Sequence, residues 1–71
     1  MKLNELTAIL PHVQPYVIND MQGNKLVEKD FNEEFHYYQN VPSGDAEVKE
    51  IRTNIDFNQD GHKSYLSIWV K

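Results

Sequence analysis

Seventy-one residues allow one domain over 1–71, and a composition that is 39% apolar supplies one small core with no visible staple. The chain has no cysteine, which excludes a disulfide framework, a thiolate zinc site and a cysteine nucleophile. Eleven acidic against seven basic residues leave a net charge of −4, which argues against a phosphate-binding surface and so against direct nucleic-acid contact. The start Met1-Lys2-Leu3-Asn4-Glu5 carries an acid where a signal peptide wants a basic region. No apolar run approaches the roughly 18 residues that span a bilayer, so the expectation is a cytoplasmic protein without a membrane partner.

Leu3, Leu6, Ile9 and Leu10 form one stripe of an amphipathic helix over Leu3 to Leu10, which Pro11 ends by disfavouring helical geometry before it. Val13 to Asp20 reads as a strand, with Val13 and Val17 on one side and Tyr16 and Ile18 on the other. Asp20-Met21-Gln22-Gly23-Asn24 supplies turn chemistry, and Lys25 to Asp30 returns as the second strand of a hairpin. Asn32 as N-cap, followed by Glu33 and Glu34, predicts a second helix from Glu33 to about Gln39, with Phe31, Phe35 and Tyr38 on its stripe. Pro42-Ser43-Gly44-Asp45 forms the next turn.

Glu47 to Phe57 alternates Ile51, Thr53, Ile55 and Phe57 against Arg52, Asn54 and Asp56. Val48 is out of phase, so either the strand starts after Lys49 or a bulge resets the register. Asn58 to Lys63 forms a turn, and Ser64 to Val70 alternates Leu66, Ile68 and Val70 with Tyr65, Ser67 and Trp69. The predicted order is α-β-β-α-β-β, an α+β domain with a four-stranded, mainly antiparallel sheet and two short helices on one face. The two hairpins either join edge to edge or interleave.

Asp56-Phe57-Asn58-Gln59-Asp60-Gly61 matches the opening of a calcium loop, with Asp56, Asn58 and Asp60 as candidate ligands. The closing ligand position falls on Ser67, which supplies no bidentate carboxylate, and Lys63 stands where such a loop wants an apolar residue. The same run is good hairpin chemistry. His12, His36 and His62 form no HxH, HxxxH or HExxH pair. None of Ser43, Ser64 and Ser67 lies in a G-x-S-x-G elbow, and three glycines build neither a P-loop nor a GxGxxG. The expectation is a protein that is not an enzyme and carries no cofactor.

Alternation along the last strand leaves two readings of the aromatics. If Leu66, Ile68 and Val70 face the core, Tyr65 and Trp69 face away and, with Tyr16, mark a docking or homodimer surface. Alternatively they pack on the second helix through Phe35 and Tyr38. Glu28, Asp30, Glu33, Glu34, Asp45, Glu47 and Glu50 concentrate negative charge mid-chain, a field that steers toward a basic partner or is simply a solvated face. The candidate partner-binding residues are therefore Tyr65, Trp69, Tyr16, Tyr38, Glu33 and Glu34.

The opening Met1-Lys2-Leu3-Asn4-Glu5-Leu6 through Leu10-Pro11, the run Gln14 to Asp20, and the close from Asp60-Gly61 to Lys71 resemble small proteins encoded by phages and prophages of Gram-positive bacteria. The Phe31 to Tyr38 segment departs from that pattern at Phe35 and His36. The resemblance implies a bacterial cytoplasm and an accessory role by contact with a host or phage protein, one version being inhibition of a host defence protein. An exposed strand edge also allows a homodimer.

Overall fold

A computed structural model describes residues 1–30, 34–58 and 61–71, without the side chains of 55–58 and 61–63. The chain runs α1 (Leu3–Ile9), β1 (Tyr16–Asn19), β2 (Lys25–Lys29), β3 (Phe35–Tyr37), β4 (Val48–Asn58) and β5 (Gly61–Val70). The five strands form one sheet in the order β3-β2-β1-β5-β4. Neighbouring pairs are antiparallel except the central β1·β5 pair, which is parallel in the register Tyr16↔Leu66 to Asn19↔Trp69.

This corrects the expected architecture, because one helix and a five-stranded mixed sheet replace two helices on four mainly antiparallel strands. The second helix is where the expectation fails. Phe35, His36 and Tyr37 pair with Lys29, Glu28 and Val27, and the Tyr38 amide continues the ladder to the Leu26 carbonyl at 3.0 Å. Phe35 and Tyr37 stack with centroids 5.9 Å apart, which requires two residues on the same side of a strand. Aromatic β propensity and an available strand edge outweigh the helical spacing of this segment. Its expected cap, Asn32, lies outside the described residues. Asn40, at a φ of 58°, turns the chain away from the edge.

The helix covers one face of the sheet. Leu3 and Leu6 are buried against Ile18 of β1, Leu26 and Val27 of β2, and Ile68 and Val70 of β5, with Leu10, Ala46, Val48 and Leu66 packed around them. Ile9, expected on the helix stripe, is instead 71% exposed. Glu5 accepts a hydrogen bond from the Lys2 amide at 3.0 Å and complements the positive end of the helix.

Two irregularities fit the apolar sequence to the core. The register shifts between Ile18 and Asn19, so that Ile18 faces Val27 while Asn19 faces Lys25, and the adjacent Leu26 and Val27 are both buried. A second shift between Val48 and Glu50 puts Val48 opposite Val70 and keeps Ile51 opposite Ile68, which is the bulge that the out-of-phase valine allowed.

Two glycines serve specific geometries. Gly23, at a φ of 88°, supplies the left-handed residue of the β1–β2 turn. At Gly44 a Cβ would lie 3.1 Å from the Asn4 Cβ, and the Gly44 carbonyl accepts from the Asn4 amide at 2.9 Å. The chain from β3 to β4 thus crosses between the two sheet edges in close contact with the start of α1.

Candidate functional site

The face opposite the helix has no helix over it among the described residues. Alternation on β5 sends Ile68 and Val70 into the core at 0% and 2% exposure and leaves Tyr65 and Trp69 half-buried on the other side. The parallel register adds Val17, opposite Ser67, and Asn19, opposite Trp69. These residues floor a trough of about 520 Å3, with Lys25 and Glu28 on its β2 side. The β4 strand extends the surface with Glu50, Arg52 and Asn54, which face Trp69, Ser67 and Tyr65.

Polar groups on this face are largely paired with one another. The Arg52 guanidinium lies 5.6 Å from the centroid of the Trp69 ring and contacts Glu50 Oε1 at 2.8 Å. The Asn54 amide donates to the Ser67 hydroxyl. Lys25 Nζ lies 3.7 Å from Glu28 Oε2 and 5.8 Å from the Tyr38 ring, while the Tyr38 hydroxyl donates to the same carboxylate oxygen at 3.2 Å. Local ion pairs hold the long side chains beside the aromatics and reduce the local charge of the rim.

The sequence candidates divide between the two faces. Tyr65 and Trp69 share the open face, and Tyr38 borders it from beside β2. Tyr16 is a correction to the expected grouping: it is only 7% exposed and belongs to the core side with Ile18. Its ring meets Phe35 edge-on at 6.4 Å, and the ammonium of the buried Lys29 lies 5.6 Å from the Tyr16 centroid and 5.8 Å from that of Phe35. Burial, with a smaller contribution from Tyr37, pushes the Tyr16 phenol above its ordinary value. The alternative in which Tyr65 and Trp69 pack on a second helix through Phe35 and Tyr38 fails, because Phe35 lies on a strand and on the Tyr16 side.

Glu34 is exposed immediately before the start of β3, and its carbonyl accepts from the Asp30 amide at 2.8 Å. Glu33 lies outside the described residues. So does the calcium-loop reading, which needs Asp60 and the side chains of Asp56 and Asn58. The described backbone puts Asp56 and Asn58 within β4, opposite Lys63 and Gly61, so the strands run further into the expected turn.

Val17 is an apolar open-face residue that the sequence candidates omitted, along with the polar Asn19, Ser67 and Arg52. Its signal was present, because Val17 lies on the opposite side of β1 from Tyr16 and Ile18. No helix among the described residues is long and apolar enough to cross a membrane. No protein-family model, curated protein or solved structure matches the chain.

Proposed function

We propose that this chain is a small accessory protein that acts by protein–protein contact, docking the open face of its sheet on a partner with a basic surface and an apolar centre. The observation that carries this reading is the parallel β1·β5 pair with, among the described residues, a helix on one side only. In all-parallel sheets both faces are covered, and in this mixed sheet the face left open over the parallel pair presents Val17, Tyr65 and Trp69 around Ser67. Trp and Tyr are enriched among residues that dominate binding energy, and the Asn19 side chain adds polar capacity at the trough floor. Because the nearby cations Lys25 and Arg52 are engaged with acids, the net charge of −4 sets the long-range attraction toward a basic partner. The resemblance to phage-encoded proteins favours a bacterial host protein as that partner, and interference with a host defence protein is the specific version.

Capture from Gram-positive bacterial lysate tests the reading when paired variants are used. A stoichiometric partner should be retained by the unchanged chain and by Ile9→Ser on the outer side of α1, but lost with Trp69→Ala or Val17→Ser in variants that remain folded. Binding should weaken as salt rises. Capture that ignores the open-face substitutions, or that no salt concentration alters, overturns the reading. The single Trp69 provides a direct second readout, because its emission should change when the purified partner is added.

A further inference from the structure

The two edges of the sheet differ in their exposure to another strand. β3 offers three residues, whereas β4 runs for eleven and contains no proline. Short strands, proline and covering segments normally protect sheet edges from pairing. The start of the β4 edge is covered: the Val48 amide donates to the Met1 carbonyl at 2.9 Å, and Lys2 bridges Glu47 in antiparallel fashion. Beyond Val48 no further segment pairs with this edge among the described residues, and its protection is limited to the bulge before Glu50 and the charged Lys49, Glu50 and Arg52. Ile51 there is 43% exposed, although it stands beside Ile68, which is fully buried.

From this edge we infer a second function for the molecule, self-association into a two-fold dimer by antiparallel pairing of β4 with β4 of a second copy, centred on Ile51. Antiparallel strands related by a two-fold axis normal to the sheet keep the same side chains on the same face. Centring on Ile51 sets Ile51 against itself on the helix-bearing face and extends the apolar core across the axis. On the open face it sets Glu50 of each copy opposite Arg52 of the other, two cross-strand pairs of opposite charge.

Neighbouring registers lose the pairing of Glu50 with Arg52, although an axis on Asn54 sets Arg52 opposite Asp56 in sequence. An axis on Arg52 opposes two guanidinium groups, and an axis on Glu50 opposes two carboxylates. Moving the axis to Thr53 or Asn54 places no cation opposite Glu50. Met1 and Lys2 stop the Ile51-centred ladder symmetrically, because each copy blocks the other beyond residues 49–53. The pairing is therefore short, and it belongs with small, exchanging interfaces.

A pair of charge variants separates pairing between copies from the ion pair within one copy. Glu50→Lys alone sets cations against Arg52 of the other copy, and Arg52→Glu alone sets acids against Glu50. Each should raise the dimer dissociation constant by about tenfold or more in sedimentation equilibrium. Mixed in equal amounts, the two variants should form a heterodimer at least as tight as the unchanged dimer, because both cross-strand pairs are then of opposite charge. A mixture that associates no better than its components overturns the inference.

The cysteine-free chain also permits a direct register measurement. Ile51→Cys should cross-link to itself on oxidation, ahead of Arg52→Cys, Thr53→Cys and Asn54→Cys. Faster cross-linking at another of these positions overturns the register. A mass of 8.4 kDa for the unchanged chain at loadings up to about 0.5 mM overturns the dimer itself.

Discussion

The two faces of this sheet use one set of strands for opposite purposes. On the helix-bearing face, Ile18, Val27, Ile68 and Val70 meet Leu3 and Leu6, and all six are at most 5% exposed. On the other face, Val17, Tyr65 and Trp69 are only half-buried, and ion pairs and amide–hydroxyl contacts surround them. Apolar character alone does not distinguish the faces, since both carry it. Cover distinguishes them: a helix of seven residues lies over one and none lies over the other among the described residues. In so small a domain the covered face supplies most of the stability, which leaves the open face freer to serve a partner.

The strongest way to break the comparison is to cut the covered face at its centre. Ile68→Ala removes a fully buried side chain and should cost about 2–5 kcal/mol, comparable to the whole stability of a domain of this size. Thermal denaturation followed by circular dichroism should show no cooperative transition, or one lowered by tens of degrees. A melting curve close to that of the unchanged chain would mean that the core lies elsewhere. Leu6→Ala should follow with a somewhat smaller loss, because the helix end of the core is nearer solvent.

Trp69→Ala is the matched change on the open face. The ring is half-buried and carries the Arg52 guanidinium, so its removal should cost about 1–2 kcal/mol, less than Ile68→Ala despite the larger side chain. The same urea titration on both variants compares the faces directly. If Trp69→Ala proves as damaging as Ile68→Ala, the open face is a second core and the docking proposal loses its basis.

These faces were partly legible in the sequence. Strict alternation along Ser64 to Val70 separates Leu66, Ile68 and Val70 from Tyr65 and Trp69, and the misplaced Val48 points to a bulge. Alternation along β1 likewise sets Tyr16 beside Ile18, so grouping Tyr16 with Trp69 required Ile18 to lie off the core. The β1·β5 pairing was not legible, because it joins residues about fifty positions apart, and local patterns do not encode such long-range choices. Phe35 to Tyr37 misled for a related reason. Spacings of four and three fit a helix stripe, while the partner that makes this segment a strand is the edge of β2, visible only after the sheet has assembled. Lys29 in the core had no sequence signal either, since its burial depends on the rings of Tyr16 and Phe35.

The smallest expected effect concerns the turn that sets the register of β1 on β2. Asp20 Oδ1 accepts from the Gln22 and Asn24 amides, both at 2.9 Å, and Oδ2 accepts from the Asn24 side chain at 3.0 Å. The Asn24 side-chain bond is the largest of the contacts that hold the Asp20 carboxyl below its ordinary value of 3.8. A carboxyl whose folded pKa is depressed stabilises the fold fully above its unfolded pKa, and that contribution fades as pH falls through the folded value. Asp20→Asn keeps one oxygen for the amides but removes the titrating charge. The urea midpoint of the variant should therefore fall less steeply than that of the unchanged chain between about pH 5 and pH 2. Glu47, held below its ordinary value by Lys49 through a contact of 3.1 Å, still titrates in the variant, so the acid dependence should shrink without vanishing. Identical slopes for the two chains would mean that the turn holds its register without the Asp20 charge.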